Sequence, residues 1–279
     1  MGGRGSYALR RTVRARFQQA SQRPAVRRAI TPVPARRPVE RGTGGGGEVT
    51  FTGDVRVSSG SLNESEISSI LGRTVSHKDI TRMIGAPDGS SVSISIGPNG
   101  TVSTRTNHPY ISAQERVIRK DSDGSVSIYN AYFRTNTSAP KGTGSRIFAA
   151  QVSQARELGV SNIKVSAAGD PRSRTFNGYT TWAKLGYNAN LTIGQRASLP
   201  SNLSKARTLN ELHSLSGGAA WWKANGNDFS GTFNLQRNSP QVRVLDAYFR
   251  SRNLISPLRF KGDRSTTAER ARLRRSRRS

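Results

Sequence analysis

Cysteine is absent from the 279-residue chain, which removes disulfides, thiolate metal sites, iron–sulfur clusters and a cysteine nucleophile. Histidine occurs three times, at His77, His108 and His213, too scattered for a zinc site, so no metal is expected. Long apolar runs are missing as well. No stretch approaches the roughly 20 residues that span a bilayer, and the start lacks the apolar core of a signal peptide. Neither a membrane span nor secretion by a signal peptide is therefore expected. Hydrophobic residues make up only 33% and glycine takes 28 positions, so part of the length cannot be core. One compact domain with unpacked segments fits better than two domains.

What the chain has in excess is positive charge, +27 formally, from 44 Lys+Arg against 17 Asp+Glu. Residues 1–47 hold 11 Arg, no Lys and one acid, Glu40, while 259–279 hold nine Lys+Arg against Asp263 and Glu269. These two ends carry +17, and the 211 residues between them carry the remaining +10. Three divisions follow: a basic Arg/Pro/Gly-rich arm over 1–47 that closes in a glycine run, a folded domain over 48–258, and an Arg-rich tail over 259–279. The arms are expected to be disordered or extended. Leu9, Val13 and Phe17 recur among Arg10, Arg11, Arg14 and Arg16, one amphipathic basic face if helical, and Arg27 and Arg28 follow. A transit peptide and an N-myristoylation pattern (Met1, Gly2, Ser6) also fit the start, but neither accounts for Arg270, Arg272, Arg274, Arg275, Arg277 and Arg278. Two basic ends are read most simply as arms for a polyanion, either nucleic acid or an acidic protein surface such as a shell lattice. Arginine suits bidentate phosphate or carboxylate contacts.

Within the central region, Ser61 with Glu64 predicts a capped helix through Ile67, Ile70 and Leu71 to Gly72, and Ser76 predicts a second one ending near Gly85. From 91 the apolar period becomes two. Val92, Ile94 and Ile96 alternate with serines, a turn follows at 98–100, and further strands are predicted at about 112–120 and from Val126 to about Arg134: a β-meander. In the last strand the apolar phase slips by one residue, which places a β-bulge near Tyr129–Asn130; aromatics on both faces are the alternative. Next comes a glycine turn, Lys141-Gly142-Thr143-Gly144-Ser145-Arg146, then a helix ended by Gly159 and a strand with Ile163 and Val165. That is a crossover unit with parallel strands. The turn is a candidate anion cradle, with backbone N–H groups at the helix start and two cationic side chains, or else only a tight turn.

Residues 177–187, Asn-Gly-Tyr-Thr-Thr-Trp-Ala-Lys-Leu-Gly-Tyr, complete a pattern that resembles the GNAT N-acetyltransferase superfamily over roughly 90–193. There a long strand leads to a glycine turn that binds the coenzyme A pyrophosphate, and a later helix carries an aromatic before Gly-aromatic; Trp182, Gly186 and Tyr187 match that pattern. The resemblance implies an α/β (α+β) GNAT-like mixed sheet with an antiparallel meander and one parallel crossover pair. It also implies acetyl-coenzyme A held by residues 141–146, an acyl carbonyl held near Tyr129 and Asn130, and a primary amine as acceptor. The chain departs from the family at Ala139, where Gln or Arg is usual, and at Trp182, which stands where the family often has a tyrosine acid. Tyr179 or Tyr187 is left as substitute acid, and Asp170, with Glu115 second, as base; Asp170-Pro171 also reads as a plain turn opener.

Beyond the matched part, Thr208 and Glu211 form a capping box. Trp221 and Trp222 share a short helix, one of them for the core or for base stacking. Phe229 and Phe233 mark a strand, and Val242, Leu245 and Phe249 mark a final amphipathic helix. The opening Met1-Gly2-Gly3-Arg4-Gly5-Ser6 is similar to the starts of some tailed-phage head-associated proteins. That likeness implies a virion location, with the cytoplasm as the other expectation, and leaves two functions open: a structural accessory module and an active acetyltransferase.

Overall fold

The structure is a computed structural model and describes residues 49–58, 62–97, 99–236 and 238–252. The arm residues singled out above, with Ser61 and the proline of the 98–100 turn, lie outside the described residues. The fold is mixed α/β: one seven-stranded sheet in sequential order β1 to β7, with helices packed on one face. Strand β1 (Arg56–Ser58) is followed by helices α1 (Glu64–Leu71) and α2 (His77–Met83), then by the meander β2 (Ser91–Gly97), β3 (Thr101–His108), β4 (Ile111–Lys120) and β5 (Val126–Thr135). Helix α3 (Thr143–Glu157) crosses to β6 (Asn162–Ala167), which is followed by α4 (Gly178–Lys184) and α5 (Ile193–Ala197). A 3-10 turn (Ser201–Leu203), α6 (Leu209–Ser214), α7 (Gly218–Asn225), β7 (Phe229–Asn234) and α8 (Pro240–Ser251) complete the chain.

Two local expectations are corrected. Helix α1 is capped two residues later than the Ser61/Glu64 box: Asn63 accepts from the Glu66 N–H at 2.9 Å and Glu66 returns the bond to the Asn63 N–H at 2.8 Å. Asparagine caps as well as serine does, and the sequence offers both frames. The sheet has two parallel pairs rather than one, because β1 runs parallel to β2 in addition to the β5/β6 pair. A three-residue edge strand is too short to show a period. The register slip in β5 is real and falls one residue on: Arg116 faces Asn130 and Glu115 faces Tyr132, leaving Ala131 as the extra residue.

Alternation decides which face is covered. Val92, Ile94, Val102, Ile118, Ile128, Ile163, Val165 and Phe233 enter one core with Ile67, Leu71, Ile80, Met83, Phe148, Val152, Leu245 and Phe249 of the helices. The intervening side chains, Ser91, Ser93, Arg105, Asn107 and Arg119 among them, are exposed. A second cluster forms beside the first from Tyr179, Ala183, Leu191, Leu203, Leu209, Leu212 and Trp222. There Trp222 is 1% exposed and its Nε1–H donates to the Tyr179 carbonyl at 3.0 Å, while Trp221 is half-buried. One tryptophan is thus core and its neighbour is not, as their 100° separation on a helix requires.

Candidate functional site

The glycine turn stands at the C-terminal end of β5. Gly142 takes φ 84°, a left-handed conformation that glycine adopts without a Cβ penalty, and α3 begins at the next residue. The first-turn N–H groups of a helix have no intrahelical acceptor, and no acidic residue occupies this first turn. Most polar side chains of the turn are already engaged. The Thr143 hydroxyl donates to the Pro140 carbonyl at 2.7 Å, Ser145 Oγ lies 3.3 Å from the Tyr248 hydroxyl, and Arg146 donates from Nη2 to the Lys141 carbonyl at 3.1 Å. Lys141 is exposed and has no ion-pair partner among the described residues. Gly144 approaches the sheet closely: a Cβ there would stand 3.1 Å from Phe133 Cε1, tighter than an ordinary contact.

Beside the turn, β5 and β6 part. Their pairing runs from Ser127/Asn162 to Asn130/Val165 and stops, although β5 continues to Thr135 and β6 to Ala167. The divergence coincides with the Ala131 bulge. Aromatic rings pack around it: Phe133 and Trp182 have centroids 6.4 Å apart, Trp182 and Tyr187 5.2 Å, and Phe148 and Tyr187 5.2 Å. Arg116 is buried in the same place, its guanidinium 5.2 Å from the Phe133 centroid and its Nη1 donating to the carbonyls of Tyr132 (2.8 Å) and Glu115 (3.1 Å). Burial pushes its pKa down to about 10, against the opposing effect of Tyr187. Nothing in the sequence marks Arg116 as buried, because an arginine in an alternating strand reads as a solvent-facing position.

The expected catalytic side chains do not converge on the turn. Asn130 lies on the covered face, where its Nδ2 donates to Gln151 Oε1 (3.1 Å) and to the Tyr187 hydroxyl (3.0 Å). Alternation sends the half-buried Tyr129 to the opposite face. Tyr179 is 6% exposed and donates its hydroxyl to the Lys223 carbonyl at 2.9 Å, inside the second cluster. Burial holds the Tyr187 phenol far above its ordinary pKa, with Arg116 and Asn130 opposing, so it stays protonated in the core. Asp170 is exposed and accepts from the Arg172 N–H at 2.7 Å, the bond of a turn opener. Glu115 is paired with Arg105 at 2.7 Å on the uncovered face.

No group of His, Asp or Glu side chains that could hold a metal ion occurs among the described residues, and no helix among them is long and apolar enough to cross a membrane. Comparison of the chain with protein-family models, with curated proteins and with solved structures returns no match.

Proposed function

We propose that the protein is a polyanion-binding accessory protein, associated with nucleic acid or with the acidic surface of a virion shell, whose arginine arms engage the polyanion and whose α/β domain positions them. One observation supports this most: most of the domain's described carboxylates are engaged in ion pairs or backbone hydrogen bonds, whereas several exposed cations have no ion-pair partner among the described residues. Asp79, Glu115, Asp121, Glu157 and Asp246 stand in ion pairs. Glu66, Asp88, Asp170 and Glu211 accept backbone N–H groups. By contrast, Arg56, Lys141, Arg172, Arg174, Lys205 and Arg243 are exposed and have no ion-pair partner among the described residues. The +10 of the domain is a net excess of cations, added to +17 in the arms.

On duplex DNA each neutralised phosphate contributes about −0.9 to the slope of log K against log salt, so engagement of half the arm charge gives a slope of about −7 to −8. Replacing Arg10, Arg11, Arg14, Arg16, Arg27, Arg28, Arg272, Arg274, Arg275, Arg277 and Arg278 by glutamine in the full chain should remove most of that slope. Fluorescence anisotropy against salt measures it. An unchanged slope would show that the arms are not the nucleic-acid element, and an intact chain that ignores DNA at low salt would point to the acidic shell surface instead.

A second reading, an acetyl-coenzyme A-dependent N-acetyltransferase acting on a primary amine, is favoured by the parallel β5/β6 pair that parts beside a glycine turn with Lys141 next to it. Positioning and carbonyl polarisation carry much of such a transfer, so a missing acid slows it without abolishing it. Calorimetric titration of acetyl-coenzyme A, with Gly144→Glu as control, tests this reading. Absence of saturable binding at millimolar ligand would end it.

A further inference from the structure

The parallel pairing of β1 with β2 sets Arg56 beside Ser91, and the antiparallel pairing of β2 with β3 sets Ser91 beside Asn107. Neighbouring strands lie about 4.8 Å apart, so a guanidinium, a hydroxyl and a carboxamide stand in one row about 10 Å long. The row is on the uncovered face, since the intervening Val57 and Val92 pack into the core. Arg56, Ser91 and Asn107 are exposed, and none of their side chains has a hydrogen-bond or ion-pair partner among the described residues.

They line a surface cleft of about 610 Å³ together with Gly89, His108, Pro109, Ile111, Ser112 and Asn136, and no carboxylate lines it. Its walls are fixed. His108 Nδ1 accepts from the Tyr110 N–H at 3.1 Å and the ring is also hydrogen-bonded to the Asp88 backbone, so the imidazole is a structural wall. Asn136 Nδ2 donates to the Pro109 carbonyl at 2.6 Å and Ser112 Oγ to the Arg134 carbonyl at 3.1 Å. The segment leading into β1 is pinned by the Asp88 carboxylate, which accepts from the N–H groups of Thr52, Gly53 and Asp54 at 2.8 to 3.1 Å.

We propose that this cleft binds a phosphate ester of nucleotide size, with its phosphate on Arg56, Ser91 and Asn107 and its less polar part against Pro109. A single unpaired cation at one end of a row of neutral donors, with no opposing carboxylate, selects an anion. A carboxylate would be satisfied by the guanidinium alone, whereas a phosphate presents enough oxygens for all three donors. The volume falls within the range of about 300–1,000 Å³ usual for small-ligand sites. The site does not rest on the arms and stands or falls without them. The phosphate can come from a free mononucleotide or from the 5′ end of a strand.

The test is calorimetric titration of the full-length chain at about 0.15 M salt, where exposed charges are largely screened. The probes are adenosine monophosphate, adenosine, and a short oligodeoxyadenylate with and without a 5′ phosphate. Saturable one-to-one binding of at least one phosphorylated probe, and not of its unphosphorylated counterpart, is expected. It should weaken about tenfold in Arg56→Ala and several-fold in Asn107→Ala, which keeps the net charge, and it should be lost in the isosteric Asn107→Asp. Lys205→Ala removes an exposed cation outside the cleft and should change affinity less than about twofold. Dependence on Asn107 for the phosphorylated oligomer alone assigns the strand end, and for the monophosphate, the free nucleotide. Equal affinities across wild type, Arg56→Ala and Asn107→Asp, or no saturable binding of either phosphorylated probe, would overturn the proposal.

Discussion

His213 on α6 is the sharpest handle on the second cluster. Burial, and then the positive charge of Lys184, pull its imidazole from the ordinary 6.5 down to about 4, and its Nε2 is buried with no hydrogen-bond partner among the described residues. The folded protein therefore keeps this histidine neutral over a range in which the unfolded chain protonates it. Above about pH 6.5 both states are neutral and the residue gives no pH dependence. As pH falls below 6.5 the unfolded state gains protons first, so stability is lost until the folded form titrates near pH 4 and the loss levels off. The two values give a loss of roughly 2 kcal/mol by pH 5 and roughly 3 kcal/mol by pH 4. His213→Leu removes the titration while keeping an apolar-sized side chain. Urea unfolding of wild type and variant at pH 7.5, 5 and 4 isolates the effect, because every other titrating group cancels in the difference. The variant should gain on the wild type by about 2 kcal/mol between pH 7.5 and 5. Parallel stability curves would refute the reasoning and mean that water or a donor reaches Nε2.

Two further outcomes follow from the packing. Trp222→Ala should cost about 3–5 kcal/mol, because it empties the centre of the second cluster and orphans the Tyr179 carbonyl, while Trp221→Ala should cost far less; thermal melting compares them. Asp88→Ala should cost about 1–3 kcal/mol by freeing the N–H groups that pin the β1 edge. Burial raises the Asp88 carboxyl, but hydrogen bonds from Thr50, Thr52, Gly53 and Asp54 outweigh it and hold the pKa below 3.8. The carboxylate's contribution is thus complete above about pH 3.8 and fades as pH falls through the lower folded value, a fading that denaturation of the Asp88→Ala variant should lack.

The meander was legible because Val92, Ile94, Val126 and Ile128 carry a clean period of two and turn residues separate the runs. Gly72, Gly159 and Gly186 stop helices where left-handed φ values of 65°, 72° and 100° are required. What stayed hidden depends on partners distant in sequence. The three residues of β1 gain their meaning from a register with β2 some 35 positions on, and with it the Arg56–Ser91–Asn107 row. Arg116 looks like a surface residue until the bulge beside it turns the Tyr132 carbonyl toward its guanidinium.

The residues that carry the family resemblance have a packing role in this fold that is complete in itself. Tyr187 is fully buried, its hydroxyl satisfied by Asn130 and its ring in contact with Phe148, Trp182 and Phe233. Gly186 lets α8 cross close by, because a Cβ would strike the Gln241 carbonyl at 2.7 Å. Gly144 makes room for Phe133 in the same way. The Trp182, Gly186 and Tyr187 pattern thus serves the packing of α4 against α8, whether or not a cofactor ever enters. The motif consequently weighs little between enzyme and accessory protein, and the discriminating feature becomes charge. Most of the described carboxylates stand in caps and internal pairs, while Arg56, Lys141, Arg172 and Arg174 have no ion-pair partner among the described residues and present their charge at the surface.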